Sequence, residues 1–422
     1  MKVIVTQPAP AQQRLSFLDA LRGIAALAVV LQHCAELLWP RFLEWSQTSF
    51  RPGAWGVFVF FMLSGFVIPL STKRETSAIS FWIGRLFRLF PLYWFALIVA
   101  AVLYQFDLYP RWPEFEGSFG RNLFVNFSMV QEFLGTPHLI GAAWSLAYEF
   151  VFYLFISIAI IGGFTNSSVK TTSLTLAASA SVGLLIHPEF VTDPQNIIKS
   201  AIIPSATVVA IALFLLPRIQ GWKHQALAFV LIFATVGFTL NQPRDLWFSF
   251  LLFATIGCGW VYHGAYTKQH SLWIASLLSL TVVVLTVVQF VWWANPASRN
   301  ADMLTILAAH VTFAAFYQLR NVAFPKALTW LGLISYSVYL NHAIVIHAVP
   351  EIEGQPILTL LVWVLVTVAV SYGTYRFVEK PAHKLGSRLR SSYRDKYVIS
   401  LTESGTTKTK VPLRATVAGG TV

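Results

Sequence analysis

Residues 18–38 read LDALRGIAALAVVLQHCAELL, an apolar run long enough to cross a lipid bilayer as a helix. About 20 such residues span the roughly 30 Å hydrocarbon core of a membrane. Arg22 and His33 nevertheless lie inside this run. Because an ionisable side chain within a span is costly, it is by default a candidate for function. The stretch therefore predicts a transmembrane helix that carries functional groups.

The composition of the whole chain indicates the same class of protein. Of its 422 residues, 56% are hydrophobic and only 11% are charged, whereas soluble domains average about 25% charged residues. Apolar runs of span length recur from one end of the chain to the other. We therefore predict an all-α fold, a polytopic membrane bundle of roughly 10–12 transmembrane helices without a soluble domain.

The apolar runs divide the chain into three regions. We predict a cytoplasmic segment 1–19, a membrane domain 20–379 and a basic, partly disordered cytoplasmic tail 380–422, with disorder from 397 onward. The candidate spans lie near residues 20–39, 54–71, 79–103, 140–164, 172–187, 198–217, 224–240, 245–263, 272–293, 302–319, 329–349 and 356–377. Residues 1–17 are too polar for the start of a cleavable signal peptide.

The distribution of charge predicts the orientation. With the N-terminus placed in the cytoplasm, most of the 30 lysines and arginines fall on the cytoplasmic side, but few of the 18 acidic residues do. Retention of Lys and Arg on that side favours this orientation and an even number of spans, so that both termini are cytoplasmic. The net charge of +12 then predicts contacts with anionic membrane lipids and no nucleic-acid partner.

Arg22 and His33 share one face of the first predicted helix. At 100° a residue they lie only about 20° apart around the helix, and about 16 Å apart along it. One would lie at the cytoplasmic edge and the other inside the bilayer. The alternative interpretation is an ordinary positive-inside anchor together with a hydrogen-bonded core histidine.

Other polar residues interrupt the later spans. Arg85 and Arg88, three residues apart, predict a phosphate site at a helix start, with a positive-inside anchor as the alternative. Glu149 lies in AAWSLAYEFVFYLF (142–155), and His342 lies beside Asn341 in SYSVYLNHAIVIH (335–347). Ser64 and Gly65 interrupt FFMLSGFVI (60–68) and indicate either close helix packing or a substrate-lining surface. His310, alone in its span, is interpreted as a packed core histidine.

The two cysteines, Cys34 and Cys258, both fall within predicted spans. They behave there as small apolar residues, so they predict neither a disulfide nor a metal site.

Taken in order, these motifs resemble the membrane acyltransferase family 3, the acyl-CoA-dependent O-acetylases of surface polysaccharides. The resemblance runs from about residue 14 to 384 and rests on LDALRG with the Arg22–His33 pair, FFMLSGFVI, RLFR, WSLAYEFVFYL, SYSVYLNH and RFVEKP. It implies transfer of an acyl group, by default acetyl, from acyl-CoA to a sugar hydroxyl of a polysaccharide or glycolipid. It also implies a bacterial inner (plasma) membrane and the stand-alone type of enzyme, without an added hydrolase-like domain.

The resemblance assigns roles to individual residues. His33, Glu149 and His342 are the expected catalytic residues, and Arg22, Arg85 and Arg88 the expected contacts of acetyl-CoA. His33 would act as general base or acyl carrier, with Glu149 orienting it and His342 as a second base. Ser64, Asn341 and Trp144 are expected to bind the acceptor. Glu36, one turn after His33, is an alternative orienting group that matches none of these motifs.

Two other classes of protein remain open at this point. A proton-coupled secondary transporter, or a flippase of acylated glycans, would also place His and Glu inside the membrane. No matching inverted halves are visible in the sequence. A structural scaffold would leave the buried ionisable groups unexplained.

Overall fold

The computed structural model describes residues 15–72, 77–110, 118–163, 221–240 and 246–403, with isolated positions 115, 169, 172–173, 209, 212–213, 216 and 219. Within these ranges the chain is helical and contains no strand. The predicted all-α membrane fold is therefore confirmed.

The first half of the chain contains α1–α6. Their bounds are Ser16–Leu38, Pro40–Thr48, Pro52–Thr72, Ala78–Gln105, Phe119–Asn126 and Trp144–Ile161. Two short 3-10 turns, Gln131–Leu134 and Gly141–Ala143, lie between α5 and α6.

The second half contains α7–α14, whose bounds are Trp222–Leu240, Leu246–Tyr266, Leu272–Trp293, Arg299–Gln318, Lys326–Leu333, Ser335–Ala348, Pro356–Thr374 and Lys380–Glu403. One wide π-helical turn, Tyr375–Glu379, joins α13 to α14.

Eight helices among the described residues are long and apolar enough to cross a membrane, or nine when a bent pair counts as one span. They coincide with most of the spans expected from hydropathy. The expected spans 172–187 and 198–217 lie almost wholly outside the described residues.

The expected span 329–349 is present as a bent pair of helices, because α11 and α12 meet there at an angle of 71°. Ile334 is the last residue to donate into α11 and the first to accept within α12, so the helical hydrogen bonding restarts at that point. The Ser335 hydroxyl donates back to the Gly332 carbonyl at 2.9 Å. The short helix α11 can therefore lie against α1 while α12 continues through the bundle.

Glycines bring two pairs of helices into backbone contact. A Cβ atom on Gly332 of α11 would lie 1.8 Å from the carbonyl oxygen of Asp19 in α1. On α3 and α8, Cβ atoms on Gly65 and Gly259 would lie 1.8 Å and 1.9 Å from carbonyl oxygens of the opposite helix. Small residues at such crossings are the usual means of close helix packing in membranes. Gly65 is thus a packing residue.

The C-terminal region forms a helix over the range predicted as a tail, as far as Glu403. Along α14, a Cβ on Gly386 would lie 2.3 Å from the Cβ of Phe87, and Arg390 approaches Gly84. This segment therefore packs along the first turns of α4, where the predicted arginine pair lies.

Candidate functional site

A cavity of about 650 Å³, including its open mouth, lies between five of the helices. We call it the central cavity; its lining comes from α1, α3, α4, α6 and α12, namely Arg22, Val57, Phe60, Phe61, Leu63, Ser64, Arg88, Leu89, Ser145, Leu146, Glu149, Ser335, Tyr336 and Tyr339. Four residues expected from sequence to be functional thus share one cavity, namely Arg22, Ser64, Arg88 and Glu149. The guanidinium groups of Arg22 and Arg88 and the Glu149 carboxylate stand among six apolar side chains, three serines and two tyrosines of the cavity wall.

The two cations of the central cavity come from different helices. Arg22 stands near the start of α1, where its Nη1 lies 3.9 Å from Oδ1 of Asp19. Arg88 is half-buried on α4. We call this side of the bundle the arginine end, and the side with His33 and His347 the histidine end. A pair of guanidinium groups at one mouth suits an anionic ligand such as a phosphate.

Arg85 has different surroundings from Arg88. It is buried, with 8% of its surface exposed, and its guanidinium carbon lies 5.4 Å from the ring centre of Phe81 and 5.6 Å from that of Tyr153. The structure thus places Arg88 on the cavity and packs Arg85 behind it, although their spacing suggested one shared binding surface.

Glu149 bonds to residues of the cavity wall. Its Oε1 accepts hydrogen bonds from the Tyr153 hydroxyl at 2.5 Å and from the Ser64 hydroxyl at 3.2 Å. No hydrogen bond or ion pair joins Glu149 to His33 among the described residues. The sequence predicted that Glu149 orients this histidine, because both were assigned a similar depth, but the geometry supplies other partners for the carboxylate.

His33 and His342 meet at the histidine end. Their rings are stacked, with centroids 5.3 Å apart and planes inclined by 24°. The two residues come from α1 and α12, more than 300 positions apart in the chain. His342 is fully buried, whereas the side chain of His33 is 42% exposed. The structure thus joins the two histidines predicted to be catalytic.

The tautomer of His342 follows from its hydrogen bond. Its Nδ1 lies 3.3 Å from the Val338 carbonyl, which can only accept, so Nδ1 carries the hydrogen. Its Nε2 is buried and has no hydrogen-bond partner among the described residues. In its neutral form the His342 ring would therefore hold a free lone pair next to His33.

The acidic neighbour of His33 is Glu36. Nδ1 of His33 lies 3.6 Å from Oε2 of Glu36, an ion-pair distance. This carboxylate also accepts hydrogen bonds from Gln32 and Ser46. The position was noted in the sequence only as an alternative to Glu149.

Tyr339 connects the central cavity to the histidine pair. It lines the cavity, and its ring centre lies 5.9 Å from that of His342. Its hydroxyl is 2.7 Å from Ser145 and donates to the Ala142 carbonyl at 2.7 Å. In the sequence this tyrosine is visible only as part of the SYSVYLNH motif. Its position three residues before His342, on the same helix face, was the available signal.

Two expected acceptor contacts do not reach the cavity. The amide nitrogen of Asn341 donates to Thr374 at 2.8 Å and lies 3.4 Å from the Ser371 hydroxyl, which ties α12 to α13. Trp144 begins α6 and packs its ring against Tyr148 at 5.9 Å. Ser64 is the member of this group that lines the cavity.

A second, open depression of about 710 Å³ lies at the histidine end. It is lined by Asp107, Leu108, Tyr109, Pro110, His347, Ala348 and Pro350. Burial raises the pKa of the Tyr109 phenol, which stays neutral and donates to the Leu139 carbonyl at 2.9 Å. Among the described residues, no group of three His, Cys, Asp or Glu side chains could hold a metal ion.

The fold and the site define a polytopic helical membrane protein with a cavity that holds two arginines and a glutamate, and with a histidine pair within its bundle. A family model described as "Acyltransferase domain" matches residues 15–376. The chain therefore belongs to the acyltransferase 3 family, and the resemblance read from its motifs, together with the predicted enzyme class, is confirmed.

Two proteins named as O-acetyltransferases are similar to most of the chain. The chain is 26% identical over 394 residues to the peptidoglycan O-acetyltransferase OatA of Listeria monocytogenes, covering 87% of this chain and 56% of the relative. It is 25% identical over 404 residues to the O-acetyltransferase OatA of Staphylococcus aureus, covering 87% and 57%.

A third relative matches a shorter segment. The acyltransferase MdmB of Streptomyces mycarofaciens is 34% identical over 155 residues, 34% of this chain and 39% of the relative. The chain thus spans between about two fifths and three fifths of the length of these relatives. No solved structure matches the chain.

Proposed function

We propose that this protein is a membrane O-acyltransferase that moves an acetyl group from acetyl-CoA to a hydroxyl of a sugar in a surface polysaccharide or glycolipid. The observation that carries the proposal is the central cavity, which is lined by Arg22, Arg88 and Tyr339, and the Tyr339 ring contacts His342 of the His33–His342 pair. An anion site and a candidate general base are thereby linked through the bundle.

The donor would enter at the arginine end. The phosphates of CoA suit Arg22 and Arg88, because guanidinium groups bind phosphate oxygens through paired, charge-assisted hydrogen bonds. The rise from Arg22 to His33 is about 16 Å along α1. A pantetheine arm that passes along the largely apolar cavity wall can thus bring the thioester toward the histidines.

His33 would serve as the general base. Its imidazole takes the proton from the acceptor hydroxyl while the hydroxyl oxygen attacks the thioester carbonyl carbon. The carbon–sulfur bond then breaks, and the imidazolium returns the proton to the CoA thiolate. We prefer His33 to His342 for this step because its ring is partly exposed, so an acceptor can reach it. A general base must be neutral, and this requirement applies equally to both histidines.

The acceptor would approach from the histidine end. The open depression there is lined by Asp107 and His347, polar side chains that can form hydrogen bonds with sugar hydroxyls. Relatives named as O-acetyltransferases, one of them acting on peptidoglycan, support a carbohydrate acceptor. We further propose that the protein lies in a bacterial inner membrane with both termini in the cytoplasm.

The test uses the full chain in proteoliposomes with radiolabelled acetyl-CoA and glycan extracted from the cell envelope. We expect label on the glycan with the wild type and none above background with His33→Ala. The control is His224→Ala, an exposed histidine at the start of α7, which should retain wild-type transfer. Wild-type transfer by His33→Ala would remove this residue from the chemistry. Proton-coupled uptake of glycan without any acyl transfer would instead indicate a transporter.

A further inference from the structure

Glu36 is held in place near the histidine end by side chains of α1 and α2. Its Oε1 accepts a hydrogen bond from Nε2 of Gln32, one turn earlier on α1, at 2.8 Å. The same oxygen accepts from the hydroxyl of Ser46 on α2 at 3.2 Å. The other oxygen, Oε2, is the one that faces Nδ1 of His33 at 3.6 Å. The two oxygens of the carboxylate therefore have separate partners.

Gln32 and Ser46, the side chains that bond to Glu36, have further hydrogen-bond partners. Gln32 is 9% exposed, and its Oε1 accepts the backbone N–H of Gly53, on α3, at 2.6 Å. Ser46 is 1% exposed, and its hydroxyl also lies 2.9 Å from the Leu43 carbonyl. Buried polar side chains with satisfied hydrogen bonds have one favoured geometry. The carboxylate is thus fixed by residues of α1, α2 and α3.

We propose that Glu36 is the positioning residue of His33 in the acyl transfer. This inference rests on the proposed function, in which His33 is the base. Gln32 and Ser46 hold the Glu36 carboxylate in place. The carboxylate then favours the His33 tautomer in which the ring hydrogen is on Nδ1. Nε2 then keeps its lone pair for the acceptor hydroxyl, and the carboxylate stabilises the imidazolium after the proton has moved.

The distance of 3.6 Å is longer than a hydrogen bond. Catalytic hydrogen bonds are often long in the free enzyme and shorten when substrate binds. The stacked ring of His342 limits how His33 can turn. A small movement of the imidazole toward Glu36, with the stack retained, would close the contact.

The experiment compares Glu36→Gln, Glu36→Asp and Glu44→Gln in proteoliposomes, with radiolabelled acetyl-CoA varied at a fixed amount of cell-envelope glycan. Glutamine preserves the size of the side chain and removes the charge. We expect kcat to fall about 10- to 100-fold in Glu36→Gln while the KM for acetyl-CoA stays within about twofold. Glu36→Asp should recover part of the loss. Glu44, exposed on the neighbouring helix α2, is the matched control and should behave as wild type.

Rescue by Glu36→Asp, together with an unchanged KM for acetyl-CoA, separates positioning from a purely structural role, because the restored carboxylate can again orient the His33 ring. Ser46→Ala, which loosens the carboxylate without removing it, should lower kcat less than Glu36→Gln. An unchanged kcat in Glu36→Gln, or a rise in KM alone, would overturn the inference while wild-type transfer still upheld the enzyme. Absence of transfer by the wild type would overturn both.

Discussion

Arg85 and Arg88 illustrate how residues with the same spacing and chemistry acquire different roles. The sequence places both at the cytoplasmic start of one helix, where two guanidinium groups predict a phosphate site. In the folded chain Arg88 lines the central cavity, whereas Arg85 is packed over two aromatic rings. The neighbouring helices distinguish the two positions, since α6 supplies Tyr153 against Arg85 and the cavity-lining helices surround Arg88.

This difference predicts separate consequences of mutation. Arg88→Gln should raise the KM for acetyl-CoA about tenfold, equivalent to about 1.4 kcal/mol of lost binding, with little change in kcat. Steady-state transfer of radiolabel at varied acetyl-CoA measures both constants. The control is Arg121→Gln, an exposed arginine on α5. An unaltered KM in Arg88→Gln would exclude this residue from the donor site.

Arg85→Gln should act on stability instead. The buried guanidinium fills space against Phe81 and Tyr153, and a shorter neutral side chain loses both the packing and the cation–π contact, which is worth about 0.5–2 kcal/mol. Thermal unfolding in detergent should show a lower midpoint, with an unchanged KM for acetyl-CoA in the folded fraction. A midpoint equal to that of the wild type would contradict the packing role.

At the scale of elements, α1 and α11 cross beside Arg22, so the crossing sets the position of this arginine. Gly332 packs directly against the Asp19 carbonyl. A Cβ atom on Gly23 would lie 2.7 Å from the Leu328 carbonyl oxygen. Hydropathy alone predicted a span at 329–349. Hydropathy does not show that α11 is bent away from α12 and packs Gly332 against α1.

Gly332→Ala should therefore destabilise the bundle. A methyl group 1.8 Å from a carbonyl oxygen forces the helices apart, and overpacking of this kind typically costs about 1–3 kcal/mol or more. Thermal unfolding in detergent is the measurement. Gly373→Ala on α13 is the control, because its Cβ would meet nothing within 4 Å, and alanine favours the helix by about 1 kcal/mol. Equal midpoints for the two variants would show that the crossing tolerates separation.

At the scale of the whole molecule, the orientation in the membrane is open to direct measurement. The excess of Lys and Arg in alternate loops predicts that α14 faces the cytoplasm and α2 the opposite side. Gln47→Cys on α2 and Ser387→Cys on α14 occupy exposed positions, while native Cys34 and Cys258 are buried. A membrane-impermeant maleimide added to intact spheroplasts should label Gln47→Cys at once and Ser387→Cys only after permeabilisation. The reverse pattern would invert the topology and the proposed side of donor entry.

The sequence by itself determined the fold class, most of the spans, the shared face of Arg22 and His33, and the family. Each of these depends on local hydrophobicity, on the helical period or on the order of motifs, which are properties of the chain before it folds. The tertiary structure decided which distant side chains meet. It placed Glu149 with Ser64 and Tyr153, left Glu36 as the carboxylate beside His33, and stacked His342 on that ring. These contacts depend on how closely helices approach and where they bend, and both are set by packing between segments far apart in sequence.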